Sequence, residues 1–68
     1  MNSKQLNAAQ NMKDALRCCV SVSAVALEDM AAAELKAIDG AEGSPRQIAS
    51  VVRNVKSYLK ARGVKVQG

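Results

Sequence analysis

The stretch DGAEGSPRQ, residues 39–47, is the one clear break in this chain and decides its fold. Two glycines flank a short polar spacer at 40–43, which is typical of a turn, and the acid–glycine pair before it suits a helix end. Ser44 is placed to cap the next helix, with Pro45 at the first helical position and Gln47 where a capping box requires it. We therefore expect a helix that ends near residue 39, a turn, and a second helix.

The second helix is predicted over residues 45–62. Gly63 follows it as a glycine suited to a helix C-terminus, and Val64 is placed to fold back towards Leu59. Residues 63–68 then form a short basic tail. The apolar residues of this helix recur at helical spacing, and they are Ile48, Val51, Val52, Val55 and Leu59.

The first half, residues 3–39, carries two apolar stripes at helical spacing. Residues 18–25 between them also alternate in the manner of a strand, but a strand without a partner is implausible, so a helix is favoured. The first stripe comprises Leu6, Ala9, Met12, Leu16, Cys19 and Val20, and the second comprises Leu27, Met30, Ala31, Leu35 and Ile38.

The lengths of the two predicted helices do not match. An unbroken helix over 3–39 is about 55 Å long and one over 45–62 about 27 Å, so the second covers only half of the first. Either the first helix breaks near 18–23 and a three-helix bundle forms, or it stays long and pairs with another subunit. The middle stretch is apolar nearly all round, which favours the second solution.

The predicted fold is therefore all-α, a helical hairpin in one small domain of residues 1–68 that assembles as a homo-oligomeric bundle. Small cores are marginal, which also favours self-association. The residues expected at the interface between subunits are Leu16, Cys19, Val20 and Leu27.

The composition argues against catalysis and against metal or cofactor binding. The chain of 68 residues has no histidine, and its two cysteines, Cys18 and Cys19, are adjacent. A zinc site needs about four ligands, and a cysteine nucleophile needs a base. No glycine-rich phosphate loop occurs. We expect no enzymatic activity, no metal and no cofactor.

No segment reaches the roughly 20 apolar residues that cross a bilayer. The uncharged run 18–27 resembles the core of a signal peptide only faintly, because the stretch before it is long and contains Asp14. We interpret this run as part of the folded domain. The expected location is the cytoplasm, or the host cytoplasm if the protein is viral.

Residues 44–68 contain six basic side chains and no acid, whereas all six acids of the chain precede them. On the second helix, three of the cations fall within about 40° of one line, opposite the apolar face. This stripe suits contact with phosphates, but it also suits a solubilising face balanced by acids across the hairpin. Both interpretations stay open. The six candidate anion-binding residues are Arg46, Arg53, Lys56, Lys60, Arg62 and Lys65.

From about Leu35 onward, the chain resembles the short helical segment of some small terminase subunits of tailed phages. The residues that carry the resemblance are Asp39-Gly40-Ala41-Glu42, Ser44-Pro45, the apolar-periodic helix, Tyr58-Leu59-Lys60 and Gly63-Val64. It implies an oligomeric, non-catalytic factor for packaging viral DNA.

The favoured function is thus that of a nucleic-acid-binding accessory protein that contacts phosphates through a basic helix face. An alternative is a small regulator or inhibitor that binds a host protein, through the apolar stretch 16–27 or through its cations on an acidic surface. A third is a binder of a small anionic ligand between subunits.

Overall fold

The computed structural model describes all residues 1–68 and contains three helices and two short strands. Each helix packs on the other two. The start of α1 meets the end of α2, and the ends of α1 and α3 meet each other, so α2 runs antiparallel to both. In chain order the elements are α1 (Ser3–Ala15), β1 (Ser21–Ser23), α2 (Ala24–Asp39), α3 (Pro45–Ala61) and β2 (Lys65–Gln67).

The first half of the chain is not one helix, so the prediction of a continuous helix over 3–39 is wrong. Leu16 caps the end of α1, and its backbone N–H donates to the carbonyl of Met12. Ser23 caps the start of α2, and its hydroxyl accepts from the N–H of Ala26 at 3.0 Å. The resulting helices of 13, 16 and 17 residues are about 20, 24 and 26 Å long. Their similar lengths let each cover the others, and this is the three-helix solution that the sequence also allowed.

Residues 21–23 of the alternating stretch form a strand, which corrects the preference for a helix there. β1 pairs in parallel with β2, with Ser21 opposite Lys65 and Ser23 opposite Gln67. The partner strand lies in the segment predicted as a tail. Because α1 and α3 end at the same end of the bundle, the chain leaving α3 passes beside the chain leaving α1. The fold is mostly helical, with this strand pair at one end, which we call the sheet end.

The predicted turn and caps are confirmed. Gly40 has a φ of 78° and ends α2 by donating its N–H to the carbonyl of Lys36. The hydroxyl of Ser44 accepts from the N–H of Gln47 at 3.2 Å, and the side chain of Gln47 accepts in return from the N–H of Ser44 at 3.0 Å. After α3, Gly63 has a φ of 82°, and the next N–H donates to the carbonyl of Leu59 at 2.9 Å.

The core consists of small and medium aliphatic side chains from all three helices. Leu27 is fully buried within it, which removes this residue from the predicted interface between subunits. Leu6, expected in the first apolar stripe, is 52% exposed, and Ala8 is buried in its place. The ten buried residues are Ala8, Ala9, Met12, Leu27, Ala31, Leu35, Val51, Val55, Leu59 and Val64.

Candidate nucleic-acid interface

The predicted cations of α3 lie on its solvent side, as the helical spacing indicated. Arg46, Arg53 and Lys60 are exposed, and Lys56 is half-buried where α3 meets α2. The opposite side of the helix supplies Val51 and its buried neighbours to the core. The core therefore fixes how α3 is rotated, and this rotation directs the cations outward.

Ion pairing does not neutralise these cations. The only ion pair in the protein joins Lys4 Nζ to Asp39 Oδ1 at 2.7 Å, at the end of the bundle opposite the sheet end. The Lys4 ammonium, by its hydrogen bond, lowers the pKa of the Asp39 carboxyl, and the backbone N–H of Ala41 lowers it further. No carboxylate lies within 4.0 Å of any of the six predicted anion-binding residues.

The acids across the hairpin, which the sequence offered as balancing charges, form no ion pairs with these cations. Glu34 accepts a hydrogen bond from the Asn11 side chain of α1 at 3.0 Å. Glu28 and Asp29 line a groove between α2 and α3 whose far wall carries Arg53 and Lys56, without reaching ion-pair distance. These two cations face acids across a gap, whereas the remaining four have no such neighbours in the groove.

Three of the predicted cations gather at the sheet end. Lys60 lies in the last turn of α3, Arg62 caps that helix, and Lys65 opens β2. The backbone N–H of Lys65 donates to the carbonyl of Val20 at 3.1 Å, which ties β2 to the loop after α1. The fold thus carries basic residues from a helix end and a strand to one place.

Two further cations at this end were missed by the sequence reasoning. Lys13 Nζ lies 5.2 Å from the ring centre of Tyr58, and the Arg62 guanidinium lies 5.5 Å from the same centre. The Arg62 guanidinium also donates to the backbone carbonyl of Arg17. Only the break after Ala15 brings the last turn of α1 to this end of the bundle. The expectation of a continuous first helix therefore gave no reason to group these two cations with those of α3. We call the five residues the sheet-end cations: Lys13, Arg17, Lys60, Arg62 and Lys65.

Tyr58 organises this cluster. Its side chain is 37% exposed, and two cations lie within about 6 Å of its ring, the distance at which a positive charge is attracted to an aromatic face. The ring thereby holds Lys13 and Arg62 beside each other despite their like charge. Its position at the core edge agrees with the periodicity of α3.

The two cysteines lie in the loop between α1 and β1. Cys18 is exposed and Cys19 half-buried, both are free thiols, and the Cys19 thiol donates to the carbonyl of Ser21 at 2.8 Å. No three potential ligands among histidine, cysteine and carboxylate residues lie together. None of the helices combines the length and the apolar character needed to span a membrane.

Comparisons with known proteins identify no relative of this chain. No protein-family model matches it, and neither a curated protein nor a solved structure does so.

Proposed function

We propose that this protein is a non-enzymatic, homo-oligomeric nucleic-acid-binding accessory protein that contacts phosphates through its sheet-end cations and α3. One observation carries the proposal. Half of the ten basic residues of the chain lie at one end of the bundle, and none of them is paired with a carboxylate. Within the segments that carry these five cations, residues 13–17 and 60–65, the only acid is Asp14, and the net charge of the whole chain is +4.

A cluster of this kind suits a phosphate backbone better than a single small anion. Its members come from α1 and the loop after it, from the end of α3 and from β2, so the charges are spread over a surface rather than turned inward around a pocket. Neutralising several backbone phosphates releases condensed counterions, which drives binding without reading sequence. The single aromatic ring is held between two cations, so the surface lacks the stacking platforms used on single strands. Double-stranded nucleic acid is therefore the favoured ligand.

The resemblance of residues 35–64 to small terminase subunits favours viral DNA as that ligand. In such a role the protein would bind duplex DNA for a packaging motor and would not itself catalyse a reaction. Arg46, at the start of the outer line of α3, extends the contact surface away from the sheet end.

The test measures the binding of a short DNA duplex by fluorescence anisotropy at increasing KCl concentrations. Five phosphate contacts predict that log K falls with log salt with a slope of about −4.5. Lys60→Gln with Lys65→Gln should weaken binding and reduce the slope by about 2. The matched control, Lys4→Gln with Lys36→Gln, removes the same charge at the other end, from residues outside the proposed surface, and should have a smaller effect. No binding at low salt, or equal losses for the two pairs, would contradict the proposed surface.

A protein partner is the second candidate, because apolar side chains lie exposed beside the same cations. Val20 is 81% exposed and Val25 67% exposed, at the two ends of the segment that includes β1. An acidic protein with an apolar centre would contact both kinds of residue. Capture of a specific acidic protein after nuclease treatment, lost on Val20→Ser with Val25→Ser and weakened by Lys60→Gln with Lys65→Gln, would favour this candidate over nucleic acid.

A further inference from the structure

A groove of about 620 Å³ runs between α2 and α3 on the side of the bundle away from α1. One wall, formed by α2, is acidic, and the other wall, formed by α3, is basic. Between the walls the surface is apolar. The acidic wall carries Glu28 and Asp29, the basic wall carries Arg53 and Lys56, and the surface between them includes Ala32, Pro45, Ile48, Ala49 and Val52.

The sequence spacing on both helices is that of a helix-packing seam. On α2, Val25, Asp29 and Ala32 are separated by four and three residues, and on α3 the spacing from Ala49 to Val52 to Lys56 is three and four. Such spacing places side chains in one line along a helix. The alanines leave room for another helix to approach closely. At the sheet end, Val25 continues the apolar line and is 67% exposed.

The charges on the two walls are unsatisfied within one chain. No carboxylate and ammonium or guanidinium group approach within 4.0 Å across the groove, although the walls carry two acids and two bases at the same level. A partner for this surface must therefore offer basic groups to α2 and acidic groups to α3.

We propose that a second copy of this chain covers the groove, related by a twofold axis parallel to α2 and α3. This axis places α2 of each copy on α3 of the other, and it preserves height along the bundle. Glu28 and Asp29 therefore meet the partner's Arg53 and the partner's Lys56, twice over. A twofold axis across the helices instead places acids on acids and bases on bases, which disfavours that dimer.

The groove face is small for an interface between subunits. α2 and α3 are about 24 and 26 Å long, and two packed helices present a face about 20 Å wide, so the pair buries roughly 1,000 Å². That area is at the low end for specific interfaces. We therefore expect a weak, salt-sensitive dimer.

The proposed axis has a consequence for the sheet-end cations. Because it is parallel to the helices, the sheet ends of both copies lie at the same end of the dimer. Two clusters of five cations then form one extended surface. The interface itself stands on the groove and does not depend on nucleic-acid binding.

The test uses charge reversal of each wall, with sedimentation equilibrium from about 1 to 500 µM protein because association follows mass action. Glu28→Lys with Asp29→Lys, and separately Arg53→Glu with Lys56→Glu, should each weaken self-association at least about tenfold. Asp14→Lys, a reversal on α1 outside the groove, is the control and should leave the dissociation constant within about twofold.

Mixing the two reversed variants is the decisive step. One variant then has two basic walls and the other two acidic walls, so a heterodimer should form with at least the affinity of the wild-type dimer, and native mass spectrometry distinguishes it from homodimers by mass. Its formation also demonstrates that both variants are folded. A wild-type monomer at every concentration, unchanged self-association of either variant, or no heterodimer would overturn the proposed interface. The sheet-end variants test DNA binding separately, so the two failures are distinguishable.

Discussion

A steric contact between the turn and α2 predicts that Gly43→Ala destabilises the protein although the backbone there is unstrained. A Cβ at Gly43 would lie 2.5 Å from Cδ1 of Leu35 and 3.2 Å from its Cβ, and Leu35 is fully buried. Overpacking of this kind costs about 1–3 kcal/mol, and the lower entropy of the unfolded chain returns about 0.4–1. We expect a net loss of about 1–2 kcal/mol, or roughly 4–16 °C in Tm for a domain of this size.

A double-mutant cycle tests whether the contact with Leu35 is the cause. Leu35→Val removes the δ-carbons, including the atom nearest to the new methyl group, and by itself costs about 1 kcal/mol. In that background Gly43→Ala should cost about 1 kcal/mol less than in the wild type. The assay is urea denaturation followed by far-UV circular dichroism.

Gly40→Ala is the matched control for this cycle. Its Cβ meets no atom within 4 Å, but its φ of 78° makes the substitution cost about 1–2 kcal/mol by backbone strain. Leu35→Val should not relieve that cost, because the strain is local to residue 40. A neutral Gly43→Ala, or equal costs in both backgrounds, would refute the steric explanation.

Three further predictions concern the caps and the ends of the bundle. Ser44→Ala should cost about 1 kcal/mol by urea denaturation because it removes a capping box. Ser57→Ala, exposed in mid-helix, should be neutral or slightly stabilising, and equal effects of the two changes would show that the cap does not stabilise the protein. The depressed pKa of Asp39 means that its stabilisation is complete above its ordinary value of 3.8 and is lost as pH falls through the lower folded value. Asp39→Asn should therefore lower the urea midpoint near neutrality, with the difference closing at acidic pH, and a difference independent of pH would contradict the linkage. Arg62→Lys keeps the charge but loses the guanidinium contact to the Arg17 carbonyl. Hydrogen exchange of the amides in the loop after α1 should therefore accelerate, and unchanged exchange would show that the contact does not stabilise this loop.

The local signals of α3 were sufficient to predict that element closely. Ser44 and Gln47 cap its start in the manner the sequence indicated, and Gly63 closes its end with a positive φ. These devices act within a few residues of one another, so they operate in the same way whatever surrounds them. The outward direction of the basic face followed from the apolar periodicity for the same reason.

The break in the first half was underestimated because its signals are divided between local and distant residues. Ser23 is a helix cap that sequence reasoning overlooked, and its hydroxyl accepts from the N–H of Ala26. The strand that precedes it needs β2 as a partner, about 40 residues further along the chain. No local sequence pattern indicates that two strands so far apart in the chain will pair, so the strand was expected to have no partner.

The sequence by itself determined the turn at 40–43, the capped α3 and the side of that helix which carries its cations, since these depend on contacts between near neighbours. Only the tertiary structure decided that the first half folds into two helices, because that choice rests on matching helix lengths around a shared core and on the pairing of β1 with β2. The same long-range packing brought Lys13 and Arg17 to the basic end of α3 and buried Leu27. The charge could be counted in the sequence, but its concentration at one end of the molecule required the fold.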